Sequence, residues 1–495
     1  SIEVITSPSA RYDSEGSSGI INIITKKNTL EGMTLGVDVR AGNRGANLGL
    51  NGNLRTGNMG FSLRGYGRAE YGIKGAFENV QTTQTSIGLQ KSIQSATTLS
   101  DRLHGSYNLG WDWDITKKSN LSAGLRLGTR NGNSVQDNLI SQTFLPGATI
   151  PLLSGRNVAS KDHDISYDLN STYTYTFKPQ QELSLLGLVS RNNRDNSFEA
   201  DLLNNVDLHT ISARQKNDNT SYNLESTLEA NYQAPTGERG LIEFGGKGIF
   251  RKVNSDYQYY LGEGTSNQFV LDESRVSNQL NYNQSVGAGY LSYTFTTKNK
   301  ISVKAGARLE YADINASLFK TPDVLLDIPS YWSLAPSINL SKTITKKLTL
   351  KTAYNRRIQR PGIQYLNPNV NEANPTNISV GNPYLDPEFT DNYEVSASIN
   401  LKAIYLNTSV FYRHTGNSIT SLRDTFTTQN PNPTEQGSIA AIRTTYANIG
   451  NENTIGMNIF GNVTFFKIWQ INGGIDLYNV SLTNNNPNPS YAASN

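Results

Sequence analysis

The chain contains no cysteine. A disulfide framework, a thiolate-bound zinc and a thiol nucleophile are therefore excluded. A cysteine-free chain also suits an oxidising compartment such as the periplasm, where stray thiols mispair. Histidine is scarce: His104, His163, His209 and His414 stand far apart and form no pair at metal-ligand spacing. No run approaches the ~18–20 consecutive apolar residues of a membrane-spanning helix. That excludes a helical membrane protein but not a β-barrel, whose strands hide their signal in alternation. Charge is nearly balanced, 44 Lys and Arg against 41 Asp and Glu. No basic run is long enough to suggest nucleic acid. A G-x-S-x-G turn and any other constrained catalytic set are also missing, so neither an enzyme nor a cofactor is expected.

What is present points to strands. The 495 residues include 42 Gly and 26 Tyr but only 3 Met, a balance that suits strands, turns and aromatic girdles. Hydropathy alone, with a mean of -0.48, reads as a soluble protein. The dominant pattern has period two. In ISVKAGARLEY, Ile301, Val303, Ala305, Ala307, Leu309 and Tyr311 alternate with Ser302, Lys304, Gly306, Arg308 and Glu310. In SYNLESTLEANY, Tyr222, Leu224 and Leu228 oppose Asn223, Glu225 and Glu229. NLSAGLRLGT and ISYDLNSTYTYTF alternate in the same way. Such alternation means strands with one apolar and one wet face.

Strand length separates a soluble sandwich from a membrane barrel. Strands of soluble proteins run about 5–6 residues, whereas a tilted strand crossing a bilayer needs about 9–11. Most alternating runs here reach the longer value. Loop lengths also sort by end. Short turns at 56–58, 116–120, 178–181, 235–240, 297–300 and 343–347 alternate with long segments at 74–101, 131–162, 192–218, 254–278, 313–330 and 358–389. Short turns at one end and long loops at the other are the outer-membrane barrel pattern. Seventeen strands are expected between about Thr34 and Ser481. Single-chain bacterial barrels close with an even number, so the expectation is a transmembrane antiparallel β-barrel missing at least one strand.

Two stretches resemble a known family, the TonB-dependent outer-membrane receptors, and within it the Bacteroidetes-type outer-membrane β-barrel branch. SIEVITSPSARYDSEGSSGIINIITKKN (1–28) is similar to the end of that family's plug domain through Ile2, Glu3, Val4 and Ile5, then Arg11, Tyr12, Gly16 and Gly19, then 20–27. The family's usual Arg-Gly is replaced by Thr6-Ser7. Far downstream, TAYNRRIQRPGIQYLNP and SVGNPYLDPEFTDNYEVSASI resemble the family's barrel signature. The matching residues are Tyr354, Arg356, Arg357, Arg360, Pro361, Gly381, Asn382, Pro383, Leu385, Pro387, Glu388, Tyr393 and Glu394.

The resemblance implies a plug tail over 1–28 and a barrel over 29–495, with about 17 of an expected ~22 strands present. It also implies active import of a substrate through a plugged barrel, with outer-membrane lipid and TonB as partners. TonB would be reached through a segment upstream of Ser1, and a surface lipoprotein is a further candidate partner. A passive porin or secretion scaffold, and a secreted β-rich adhesin, are the alternatives.

Residue by residue, Gly16 and Gly19 suit a sharp turn, and the Gly381-Asn382-Pro383 and Asp386-Pro387 stretches read as loop punctuation. Glu394 shares the wet face of its strand with Ser396 and Ser398, which makes it a candidate plug–barrel latch pairing with a plug cation such as Arg11. The cluster Arg356, Arg357 and Arg360 reads either as a solvated surface or as a contact for anionic headgroups or an anionic ligand. Phe465, Phe466 and Trp469 around a tight turn fit an aromatic girdle. The substrate cannot be read from loops of ordinary composition.

Overall fold

The computed structural model describes residues 2–5, 7–16, 20–23, 31–85, 88–272, 279–319, 324–326, 328–368, 377–401, 403–429, 438–466 and 468–484. Gly19 and the Lys26-Lys27-Asn28 linker lie outside the described residues. A small ladder comes first: β1 (Ile2–Ile5) runs antiparallel to β2 (Ile20–Ile23), with Glu3 opposite Asn22.

Every other strand belongs to one sheet. Its first half is β3 (Gly32–Gly42), β4 (Gly45–Thr56), β5 (Met59–Thr85), β6 (Gly88–Thr116), β7 (Ser119–Phe144), β8 (Leu152–Lys178), β9 (Gln181–Leu203), β10 (Ile211–Thr236) and β11 (Gly240–Glu263). The second half is β12 (Val270–Leu271), β13 (Gln279–Thr296), β14 (Ile301–Phe319), β15 (Val324–Leu326), β16 (Tyr331–Thr345), β17 (Leu348–Gln359), β18 (Asn377–Ser379), β19 (Glu388–Asn400), β20 (Ile404–Gln429), β21 (Ser438–Phe465) and β22 (Trp469–Asn484). Apart from the short β12, β15 and β18, these are seventeen long strands, each antiparallel to the next. The sheet curls into a barrel. Its two ends, β3 and β22, are exposed along nearly their whole length. No residue register joins those two ends among the described residues.

The strands are longer than the alternation suggested. The expected loop over 74–101 is mostly ladder: β5 and β6 run on to Thr85 and from Gly88, with 27 and 29 residues. The same holds for much of 131–162, 192–218 and 254–278. These upper parts lie beyond the lipid-facing band, and their buried faces mix Gln90 and Ser92 with Ala96, Leu139, Val158 and Ala200, so their apolar alternation fades while their backbone bonds continue. Only about 9–11 residues of each strand are needed to cross a bilayer, so the sheet projects well beyond it at the long-loop end.

The outer face is apolar. Leu291 opposes Phe244 and Ala307, Leu309 opposes Leu334, and Tyr311 opposes Trp332, and all but Ala307 are exposed large hydrophobics. Aromatic rings mark both rims of this band. Near the short turns, Tyr175–Phe177 and Tyr232–Phe244 meet at 4.7 and 5.3 Å. Towards the long loops, Tyr311–Trp332 and Tyr354–Tyr393 meet at 4.8 and 5.0 Å. From Val303 to Tyr311 a tilted strand climbs about 20 Å, close to the height of a barrel's lipid-facing band. A secreted adhesin has no use for such a surface. Phe466 and Trp469 sit exposed at the turn between β21 and β22.

One outer loop folds back into the barrel mouth. Its single helical turn, α1 (Ile363–Leu366), and the following residues bring Leu366 and Leu385 against Val253, Leu280, Tyr282 and Ile314 of the wall. The stretch read as loop punctuation is thus packed. The Gly381 amide donates to Asn367 O at 2.9 Å and the Asn382 amide to Tyr365 O at 2.6 Å. The Asn382 side chain donates to Tyr446 O at 3.0 Å, and Pro383 is buried. A Cβ at Gly381 would lie 2.3 Å from Asn367 O, so glycine is required there for space rather than for flexibility.

Candidate functional site: the inner wall beneath the N-terminal segment

The wet faces of β10, β11, β14, β17 and β19 carry charge into the barrel interior, and residues 7–16 lie against them and against Ser337 of β16. In RYDSEG the charged residues Arg11, Asp13 and Glu15 are two apart, as on one face of an extended chain. Each finds an opposite charge on the wall. Arg11 Nη1 donates to Glu243 Oε1 at 3.3 Å and to Gln233 Oε1 at 3.1 Å. Glu243 is also held by Lys304 at 2.5 Å. Asp13 lies 2.5 Å from Lys247 Nζ and 3.1 Å from Arg308 Nη2. Glu15 lies 3.1 Å from Arg360 Nη1.

The chain path makes these contacts regular. The Ile358 amide donates to Ser14 O and the Gly16 amide to Ile358 O, both at 2.9 Å. Residues 14–16 therefore pair in parallel with the end of β17. Arg357 closes the pairing from the side, donating from Nη2 to Glu15 O at 2.8 Å and from Nε to Gly16 O. Gly16 has φ +97, a left-handed conformation that glycine adopts without strain. Further back, the Ala10 amide donates to Ser337 Oγ at 3.0 Å, and a turn is tied by the Tyr12 amide on Ser9 O at 3.0 Å. Pro8, Ser9, Ala10 and Ser14 are buried.

Beneath the segment the wall charges are bound to one another. Arg360 Nη2 reaches Glu310 Oε2 at 2.6 Å, and Arg308 Nε donates to the other oxygen. All three residues are at most 4% exposed. Desolvating such a cluster offsets much of its Coulomb attraction, but removing one member costs about 3–5 kcal/mol because a buried charge is left alone. The cluster therefore fixes geometry more than it adds stability.

The sequence-based candidates fall as follows. Glu394 does touch the segment, but its partner is the Ser7 hydroxyl, which donates to Oε2 at 2.9 Å. Asn392 also holds Ser7, at 3.2 Å. Arg11 is committed to Glu243, on the far side of several strands, so the expected Arg11–Glu394 pair is not formed. Of the arginine cluster, Arg357 and Arg360 are neither solvated nor on the lipid face: they are 5% and 4% exposed and bind the segment. Only Arg356 points outward, where it makes a two-point contact with Asp391 at 2.9 and 2.7 Å. Strand alternation separates Arg356 from Arg357, and Arg360 follows where β17 has turned inward. Pro361 lies beside the apolar loop packing. Glu388 accepts the Ile419 amide at the other end of that loop. Glu3 sits in β1, and Tyr12 in the turn that presents Arg11.

Asp13, Glu15, Lys247 and Glu243 were missed as site residues. Their signal was available in the two-residue spacing of Arg11, Asp13 and Glu15, and in charges placed mid-strand on faces that a solvent-filled pore alone does not require.

A barrel with an apolar outer band, aromatic rims, short turns at one end and a charged interior is an integral outer-membrane protein. The sequence agrees: residues 175–495, more than half of the chain, match the model of the outer membrane protein beta-barrel family. The chain belongs to that family.

Solved structures of transporters and receptors share its fold. The copper transporter OprC superposes with a TM-score of 0.62 at 11% identity, over 98% of this chain and 66% of that one. The FrpB iron transporter from Neisseria meningitidis gives 0.60 at 11% identity, over 100% and 69%. The ferric enterobactin receptor PfeA from Pseudomonas aeruginosa, a G324V mutant, gives 0.60 at 14% identity, over 96% and 66%. The chain thus spans about two thirds of the length of these structures, which are transporters and receptors rather than enzymes. A comparison with curated protein sequences finds no match.

Proposed function

We propose that this chain serves TonB-dependent active import of a substrate across the bacterial outer membrane. In this reading residues 1–28 are the end of a plug domain and its linker, and residues 29–495 are barrel. The observation that carries it is the set of complementary charges between residues 7–16 and the inner wall, closed by Arg357 on the Glu15 and Gly16 carbonyls. A pore that merely conducts has no need to bind a polypeptide segment along its wall. An imported substrate requires that segment to leave the wall and return, and contacts of this kind suit a reversible seat. Arg11, Asp13 and Glu15 are each partly exposed, so water already competes for these contacts and keeps them from being permanent. The barrel signature residues Arg357 and Arg360 then act as the clamp, and Glu394 with Ser7 as an accessory latch. Outer-membrane lipid covers the apolar band. TonB, and a surface lipoprotein on the projecting sheet, are partners in this reading.

The test uses the full-length protein in cells. Solutes depleted from a complex medium are profiled with and without the protein, and with and without a protonophore. Energised import predicts at least one solute whose depletion needs both the protein and the proton gradient. Depletion that survives the protonophore supports a passive porin instead.

A further inference from the structure

The wall beneath Asp13 and Glu15 has an unbalanced charge of its own. Lys247, Arg308, Arg357 and Arg360 face that stretch, and the carboxylates among them are Glu310 and Glu229, the latter 3.6 Å from Lys247. Four cations against two carboxylates leave two positive charges, which Asp13 and Glu15 cancel. At the Arg11 end, Glu243 is already paired with Lys304, so withdrawing Arg11 bares no net charge there. When residues 7–16 leave, they uncover a cradle of three guanidinium groups and one ammonium, spaced for two carboxylates.

We propose that this cradle is a binding site for carboxylate-bearing solutes, which Asp13 and Glu15 fill as a tethered stand-in while the segment is seated. The proposal rests on the import reading in taking the segment as movable, and it adds the substrate class. Guanidinium groups recognise carboxylates through two parallel N–H bonds, a geometry neutral solutes cannot match. The segment and the solute compete for the same donors. A bound solute therefore favours the withdrawn segment, and a seated segment taxes the solute's affinity by the fraction of time the site is free.

Tricarballylate, which carries three carboxylates, is the probe. Amide exchange at Gly16 and Ile358, the two ends of the parallel pairing, is followed in the folded chain in detergent. Tricarballylate is expected to speed both at least ~3-fold over sodium chloride of equal ionic strength, and sucrose to leave them unchanged.

A chain carrying Asp13→Asn and Glu15→Gln, with the wall intact, is expected to bind the probe at least ~10-fold more tightly than the unaltered chain. Adding Lys247→Gln and Arg357→Gln is expected to abolish that gain, and adding Lys247→Gln alone to reduce it. A heat-dependent gel shift checks that each barrel is folded. The proposal is overturned if tricarballylate acts no more strongly than chloride, or if binding survives loss of the wall cations. Import of only neutral or cationic solutes overturns it as well, while leaving the import reading intact. A depletion profile insensitive to the protonophore defeats the import reading but leaves the binding result standing.

Discussion

Replacing Asp13 with Asn removes one negative charge and almost no volume. Asp13 accepts from Lys247 at 2.5 Å and from Arg308 at 3.1 Å. Hydrogen bonds to charged groups contribute about 1.5–3 kcal/mol each. The Asp13 side chain is 42% exposed, so water screens part of that, and Asn retains a weaker acceptor. The seated segment should lose about 1–2 kcal/mol, which raises the population off the wall by about 5–30-fold. Amide hydrogen exchange reads this directly. The Ile358 amide bonded to Ser14 O and the Gly16 amide bonded to Ile358 O should exchange faster by that factor. Leu309, deep in the β14 ladder, should not change. Unchanged exchange at Gly16 and Ile358 would refute the claim that Asp13 seats the segment. Equal acceleration at Leu309 would show that the whole barrel had been destabilised instead.

Three further outcomes follow from the same geometry. Gly381→Ala drives a Cβ to within 2.3 Å of Asn367 O, where backbone cannot yield cheaply. An overpacking cost of about 1–3 kcal/mol should open the inward-folded loop to limited proteolysis while the gel shift of the barrel persists. Val395→Arg places a charge on a side chain 61% exposed on the lipid face. It should cost about 2–4 kcal/mol in urea titrations of folding into vesicles.

In the exposed turn between β9 and β10, the Asp207 carboxylate accepts the His209 and Thr210 amides and the Thr210 hydroxyl. The backbone bond from His209 is the largest cause of lowering its pKa from 3.8 to about 2. A lowered value means the turn is fully held above the ordinary carboxylate range and loosens only as pH falls through about 2. Carboxyl-carbon NMR should show that midpoint, and a midpoint near 4 would contradict it.

The membrane-crossing sheet was legible because period-two alternation is imposed by lipid on one side and water on the other. Leu309 and Tyr311 against Arg308 and Glu310 is the clearest case. The projecting halves of β5 to β11 were not legible, since residues such as Thr82, Gln90 and Ser92 carry no lipid-imposed pattern while their backbones stay paired. At the site, strand alternation correctly turned Glu394 inward. It did not choose a partner for it, because which segment residue meets which strand depends on how the chain crosses the lumen. Arg356, Arg357 and Arg360 read as one cluster because they are neighbours in sequence. Alternation alone separates Arg356 from Arg357, while the inward turn after β17 that carries Arg360 is a tertiary feature.

The central claim is that residues 7–16 must leave the inner wall for a solute to pass. The chain's lack of cysteine makes a single engineered disulfide unambiguous. Ala10→Cys with Ser337→Cys joins positions already linked by the Ala10 amide and the Ser337 hydroxyl at 3.0 Å. In the full-length protein the account predicts that the bond forms in folded barrels, that protein-dependent depletion of solute stops when it is oxidised, and that depletion resumes on reduction. Import that continues unabated through the oxidised, locked protein would contradict it.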